Sequence, residues 1–270
     1  MSLPHTSPEL APGVAPDAAP YDADLERRFG GLRRLYGAAA YDRLRTLRLA
    51  VVGVGGVGSW AAEALARSGV ACLVLIDMDH VAESNINRQI QALTHTVGQA
   101  KIEALRERVA HIHPGCEVVP VDDFVDEDNV AHLLAQGPLD GVIDCCDQVR
   151  AKAALAAWGR EHGVPVVTVG AAGGKLRPHA IEVADLADVT HDPLLASLRQ
   201  RLRQRHGGAR KGTMGLTCVF SRESVRPPQD AACSTDGSLN CHGYGSSVTV
   251  TASFGMSAAA VLLNQVLAKA

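Results

Sequence analysis

Leu49-Ala50-Val51-Val52-Gly53-Val54-Gly55-Gly56-Val57-Gly58 decides how the rest of this 270-residue chain is read. An apolar run enters glycines 53, 55 and 58, a small-residue helix follows from Ser59 to Arg67, and a second apolar run ends at Asp77. Strand, glycine turn, helix and strand with a terminal acid make a dinucleotide fingerprint. One glycine permits the tight turn, one lets backbone approach a phosphate, and one lets the helix pack on the strand. A phosphate then rests on the N–H groups of the helix start, and Asp77 is placed for ribose hydroxyls. Alone, the stretch reads as an NAD site.

Outward from it, strand and helix patterns alternate. Leu49–Val52 and Cys72–Ile76 are aliphatic runs suited to strands buried on both faces. Ile102, Leu105, Val109 and Ile112 recur on one helical face, which Pro114-Gly115 stops. Glu117–Val121 reads as a strand, 126–134 as a short helix, Leu139–Asp144 as a strand, 150–162 as an Ala-rich helix and Val164–Val169 as a strand. Repeated βα units predict an α/β, Rossmann-like open and mainly parallel sheet with helices on both faces. Beyond Gly170 the pattern weakens. A basic helix is expected around Leu195, Leu198 and Leu202, a strand at Thr217–Ser221, and otherwise an irregular segment over 171–245.

Composition sets limits. Hydrophobic residues make up 47% and charged residues 20%, with a net charge of −3, so any nucleic-acid contact must come from a local patch. Residues 1–24, with prolines at 4, 8, 12, 16 and 20, are expected to be a disordered extension preceding a single domain over 25–270. Seven irregularly spaced cysteines and no CxxC pair argue against a disulfide framework and a structural zinc site, and place the chain in the cytoplasm. Val248–Leu267 is apolar but carries Thr249, Thr251, Ser253, Ser257 and Asn264, and reads as a buried helix rather than a membrane span.

The residues after Asp77 change the first reading. Asp79, Asn85, Asn87, Arg88 and Gln89 follow closely, with Lys101 twelve residues beyond Gln89. A triphosphate carries about four negative charges and needs cations aimed at it; Arg88 and Lys101 supply them, with Asn85 and Gln89 as neutral donors. Asp144-Cys145-Cys146-Asp147 ends a strand at the side where open α/β sheets bind ligands, so its carboxylates are expected to face the glycine loop. One carboxylate there suits Mg²⁺, which takes one or two carboxylates plus phosphate oxygens. Singly, Asp77 fits NAD or ATP, and Asp147 fits a cap for the following helix. Jointly they indicate a nucleoside triphosphate.

Gly53-x-Gly55-Gly56-x-Gly58, Asp77-Met78-Asp79, Asn85-x-Asn87-Arg88-Gln89, Val97-Gly98-Gln99-Ala100-Lys101 and Asp144-x-x-Asp147 resemble the E1-like (MoeB/ThiF) adenylating superfamily. Arg28-Phe29-Gly30-Gly31, Arg34-Leu35-Tyr36-Gly37, the run from Gly56 to Ala66, Asp122-Asp123-Phe124-Val125 and the run Thr249 to Gly255 are similar to its tRNA threonylcarbamoyladenosine dehydratase branch. The resemblance spans Leu25 to the C-terminus. It implies an E1-like adenylation domain that activates the carboxylate of N6-threonylcarbamoyladenosine at position 37 of tRNA with ATP, followed by closure to a cyclic product. Carried over by motif, Gly53, Gly55, Gly56 and Gly58 cradle phosphates, Asp77 and Asp79 serve the ribose, and Asn87, Arg88, Gln89 and Lys101 hold the phosphates. Asp147 binds Mg²⁺. The resemblance further implies a homodimer lending an arginine (Arg28 or Arg34) to the partner's site, a monovalent cation, and association with a cysteine desulfurase or sulfur-acceptor system.

Cys241, before a Gly-aromatic-Gly stretch, is a candidate nucleophile, and Cys233 a weaker one; His242 is not placed to serve as its base if the segment is extended. Arg199, Arg201, Arg203, Arg205, Arg210 and Lys211 put six cations in thirteen residues, a candidate tRNA phosphate contact or a solvated helix face. The competing activities are C-terminal adenylation of a ubiquitin-like sulfur carrier and NAD-dependent dehydrogenation. The missing CxxC pairs count against the first, and the phosphate-directed cations against the second.

Overall fold

The aliphatic runs form the parallel part of one sheet. In the computed structural model, which describes residues 20–226 and 244–268, β1 (Arg48–Val52), β2 (Cys72–Ile76), β3 (Glu117–Val121), β4 (Gly141–Asp144) and β5 (Val166–Val169) stand in the order β3-β2-β1-β4-β5. All pair in parallel. β6 (Ile181–Asp185) and β7 (Thr217–Ser221) complete it: β7 runs parallel to β5, and β6 lies antiparallel on the outer edge. The chain runs from β1 outward to β3 and returns to β4 beside β1. Such a reversal opens a crevice at the carboxyl ends of the strands.

Successive residues of a strand point to opposite faces. Leu49 and Val51 therefore enter one core and Ala50 and Val52 the other. The first is covered by α3 (Gly58–Arg67), α4 (Lys101–Ile112) and α8 (Val248–Leu267), the second by α5 (Val130–Leu133), α6 (Val149–His162) and α7 (Pro193–Arg205). α8 is apolar and long enough to cross a membrane by composition, yet Val250, Phe254, Ala258, Leu262 and Val266 pack into the first core. It lies so close to α3 that a Cβ on Gly255 would sit 2.4 Å from the Val57 carbonyl oxygen. α6 stops at Gly163, whose φ of 67° is the left-handed stop a glycine supplies. α7 starts at Asp192, which accepts Leu195 N–H, followed by Pro193 in the first turn.

Three expectations differ from what is observed. Helix α1 (Pro20–Tyr36) begins inside the stretch 1–24 expected to be irregular, because a proline is compatible with a first helical turn. Leu25 and Phe29 then dock it on Tyr41 of α2 (Ala38–Leu44). The stretch 171–245, expected to be irregular around its basic helix, contributes β6 as well as β7 to the main sheet. β6 is half-exposed on both sides over most of its length, so it lacks the apolar run of a central strand. The helix expected from Asp126 is only Val130–Leu133, since the Asp126 carboxylate accepts Asp128 and Asn129 N–H and holds a turn instead.

Candidate active site

The loop from Gly53 to Gly58 follows β1 into the crevice. Gly53 has a φ of +80°, and a Cβ there would lie 3.1 Å from the Cys145 carbonyl. A Cβ on Gly58 would lie 1.9 Å from the Gly53 carbonyl oxygen, so the loop closes on itself only with glycine at this position. The N–H groups of Gly55, Gly56 and Val57 make no hydrogen bond to the described chain, and no side chain caps α3. They are orphan donors at a helix start, which favours an anion. Asp77 shapes this loop: its Oδ2 accepts Val54 N–H at 2.8 Å and its Oδ1 accepts Asp79 N–H at 2.9 Å. Burial pushes its carboxyl above the usual range, while Lys101 and these N–H groups pull the other way.

Two cavities of about 330 Å³ each open here and share Cys146 and Asp147. The first lies beside Gly53, Asp77, Met78, Asp79 and Phe124. The second lies beside Gly56, Arg88, Ala171, Gly173, Leu194, Tyr244 and Thr251.

Arg88 is half-buried and lies across the loop; a Cβ on Gly56 would meet its Cγ and Cδ at 3.3 Å. Its guanidinium donates to Ser84 O at 2.6 Å and Asn87 Oδ1 at 3.0 Å. Both acceptors are neutral, and burial lowers its pKa from the ordinary arginine value. A desolvated cation with no carboxylate partner attracts an anionic ligand. Its backbone is pinned by Trp60 Nε1, which donates to Arg88 O at 3.0 Å. Asn87 Nδ2 donates to Ser246 O at 2.9 Å, so its side chain joins Arg88 to the segment leading into α8. Gln89 is buried with its amide nitrogen facing Gly55, 3.8 Å from where a Cβ would stand. Asn85 caps a short turn through Ala82 N–H and is not directed at the loop.

Lys101, read from sequence as a phosphate grip, here holds Asp79: its Nζ is 2.6 Å from Asp79 Oδ2 and 4.0 Å from Asp77 Oδ1. At the end of β4 the two acids part. Asp144 is fully buried, pairs with Lys152 at 3.2 Å, and accepts the Thr168 hydroxyl and Cys146 N–H. It does not face the loop, contrary to expectation, because a fully buried lysine one turn into α6 claims it. Asp147 is half-buried between the cavities, and its carboxylate has no hydrogen-bond or ionic partner among the described residues.

The ThiF family profile matches residues 30–269. The tRNA threonylcarbamoyladenosine dehydratase of Escherichia coli is 46% identical over 255 residues, covering 90% of this chain and 95% of that one. That enzyme's crystal structure in complex with ATP superposes with a TM-score of 0.84 at 45% identity, covering 93% of this chain and 98% of that one. Its AMP complex gives 0.84 at 46%, covering 94% and 99%. The chain belongs to the ThiF family, in its tRNA threonylcarbamoyladenosine dehydratase branch.

Three further groups of residues expected to matter in such a ThiF-family protein are placed as follows. Arg28 is tied to Asp24 at 2.6 Å and to Ile112 O at 3.2 Å, whereas Arg34 is exposed without a partner among the described residues. Of the basic cluster, Arg199 donates to Leu186 O and Val189 O, Arg201 pairs with Glu127 at 2.5 Å, and Arg203 donates to Ala209 O. Arg205, Arg210 and Lys211 are exposed and unpartnered within the described chain. Cys233 and Cys241 lie outside the described residues. Burial pushes the Cys72, Cys116 and Cys145 thiols up to about 12 and those of Cys146 and Cys218 well above their ordinary value, which leaves them unreactive.

Proposed function

We propose that this chain uses ATP to dehydrate N6-threonylcarbamoyladenosine at position 37 of tRNA to its cyclic form. The observation that carries the reading is the pair of cavities meeting at Asp147, whose carboxylate is unpartnered among the described residues, with Arg88 beside it bonded there only to neutral acceptors. A nucleotide fits with its adenosine in the first cavity, its ribose at Asp79 and its phosphates over Gly55, Gly56 and Arg88. Ribose hydroxyls at Asp79 release Lys101 Nζ toward the phosphates.

The threonyl carboxylate oxygen attacks the α-phosphorus, the Pα–O–Pβ bond breaks, and pyrophosphate leaves. A nitrogen of the carbamoyl linkage then attacks the activated carbonyl carbon. The C–O bond to AMP breaks, the ring closes, and the N–H proton passes to solvent. One oxygen of the carboxylate leaves in AMP, so ATP takes up the water lost by the substrate. These steps need charge neutralisation and alignment rather than a protein nucleophile. Arg88, Lys101 and the loop N–H groups supply the first, and rigid cavity walls the second. Magnesium fits Asp147, a carboxylate without a partner among the described residues beside the proposed phosphate path; bound there, it would neutralise phosphate charge.

Arg34, without a partner among the described residues, is the better of the two arginines to reach a second copy's nucleotide, and exposed Leu35 beside it supports a symmetric dimer. Arg205, Arg210 and Lys211, unpartnered among the described residues, are the members of the basic cluster placed to meet tRNA phosphates, and the reaction belongs in the cytoplasm.

The test is Asp147→Asn assayed with tRNA carrying the modified nucleoside. Turnover, read by mass analysis of position-37 nucleosides and by pyrophosphate release, is expected to vanish while the melting temperature is kept. Wild-type turnover in the variant would overturn the carboxylate's role. Pyrophosphate exchange dependent on a ubiquitin-like sulfur carrier and indifferent to tRNA would overturn the whole reading.

A further inference from the structure

We infer that the second cavity, on the α7 side of Asp147, is the pocket for the modified base itself, taken out of its loop with its carboxylate at Arg88 and its ring system against Tyr244. The inference rests on the tRNA reading above and names the site and pose of that substrate. The cavity borders the nucleotide cavity at Cys146 and Asp147, where an attacking carboxylate must stand to meet an α-phosphorus.

Its chemistry suits that ligand. Ala171 and Leu194 make apolar walls, Tyr244 contributes an aromatic ring, Thr251 a hydroxyl, and Arg88 the only cation among its described lining residues. A single-stranded base is held by stacking on aromatic rings and by polar contacts at its edge. The volume, about 330 Å³, lies at the low end of small-molecule pockets, roughly 300–1,000 Å³. That admits one substituted base and excludes a stem.

The walls are held rigidly from behind. Asp192, 3% exposed, accepts Ala171 N–H through Oδ2 at 2.9 Å and Leu195 N–H through Oδ1 at 3.0 Å, so one carboxylate clasps both sides of the pocket. Lys175, 1% exposed, stands 3.8 Å from that carboxylate and donates to Ser221 O at 2.9 Å. Gly174 N–H donates to Gly245 O at 2.8 Å and fixes the segment carrying Tyr244. The ligand is also part of a polyanion. The helix whose first residues line the pocket extends about 20 Å, at about 1.5 Å per residue, to the unpartnered Arg205. Cations at that distance can hold the strand from which the base is drawn.

Gly173→Leu fills the pocket with little disturbance, since a Cβ there meets only Tyr244 Cβ, at the ordinary distance of 3.5 Å. Expected results are a KM for modified tRNA raised at least tenfold, an ATP Kd within twofold of wild type and an unchanged melting temperature. Tyr244→Ala is expected to raise the same KM at least tenfold and Tyr244→Phe to restore it. Free N6-threonylcarbamoyladenosine is expected to bind the AMP-loaded protein at least tenfold more tightly than adenosine does, and to lose that binding in Gly173→Leu. Nucleoside binding indifferent to Gly173→Leu, or ATP affinity falling in step with the tRNA KM, overturns the assignment. If wild type dehydrates tRNA but Gly173→Leu leaves its KM unmoved, the pocket alone is misassigned. If wild type binds the nucleoside through Gly173 and yet leaves tRNA unconverted, the dehydration reading fails and the pocket stands.

Discussion

Replacing Lys152 by methionine tests how the turn carrying Asp147 is held. Lys152 and Asp144 are both 0% exposed, with Nζ 3.2 Å from Asp144 Oδ2 and donating to Val169 O at 2.8 Å. Asp144 in turn accepts Cys146 N–H at 3.1 Å, one residue before Asp147. Methionine nearly preserves the volume, so the loss is electrostatic and not a cavity. Removing one partner of a buried pair costs about 3–5 kcal/mol. Asp144 keeps the Thr168 hydroxyl and Cys146 N–H, which puts the loss near about 3 kcal/mol, the low end of that range. In a chain of this size each kcal/mol lowers Tm by about 2–4 °C, so the expected fall is about 6–12 °C. Burial by itself pulls the Lys152 ammonium down, but Asp144 and the neighbouring thiols outweigh it and hold its pKa above the ordinary value. A raised folded-state pKa contributes stability that is complete below the unfolded lysine value of about 10.4 and lost as pH rises through the folded value. The gap between wild type and variant is therefore expected to be constant from about pH 7 to 9. Urea unfolding followed by circular dichroism measures it, with Asp144→Leu/Lys152→Met as the paired control. A loss below about 1 kcal/mol, or a double variant no more stable than the single one, would refute the reasoning.

Gly58→Ala sets a Cβ 1.9 Å from a backbone oxygen that cannot yield without opening the loop; ATP affinity by calorimetry is expected to fall more than tenfold, and a twofold change or less would count against the loop as the phosphate cradle. Replacing Arg205, Arg210 and Lys211 with Ala is expected to weaken tRNA binding and flatten the slope of log K against log salt by about 2 to 3, at about 0.7–0.9 per lost phosphate contact; an unchanged slope removes this end of α7 from the interface. Thiol alkylation of native protein at about pH 8 is expected to spare Cys72, Cys116 and Cys145, whose thiols burial pushes up to about 12. Cys146 and Cys218, pushed well above their ordinary value, are spared too, so any thiol labelled rapidly is Cys233 or Cys241, and mass mapping that finds fast label on Cys116 would contradict its raised pKa.

The parallel half of the sheet was legible because its strands are continuous aliphatic runs buried on both faces, a pattern local to each segment. β6 was not, since an edge strand half-exposed on both sides leaves no such run. The basic helix was placed correctly, but its spacing could not say which arginines are free. Arg201 is neutralised by Glu127, seventy-four residues away, and Arg199 is tied to carbonyls of the segment before α7. Asp144 and Asp147 look alike in sequence and differ only because Lys152 stands behind one of them. Asp77 and Asp79 diverge likewise, one accepting backbone N–H groups and the other Lys101.

By itself the sequence determined the βα order, the glycine geometry and the run of Asn87, Arg88 and Gln89 beside the glycine loop, and its motifs carried the resemblance that family membership bore out. These depend on neighbours a few residues apart, where backbone sterics and strand or helix period act directly. Tertiary structure alone decided which carboxylate stays free, which cations are spent on internal partners, and that a second cavity adjoins the first. Gly56, Arg88, Ala171, Leu194, Tyr244 and Thr251 come from separate segments. Only the side-by-side parallel pairing of β1, β4 and β5 and the packing of α7 and α8 bring them within reach of one ligand.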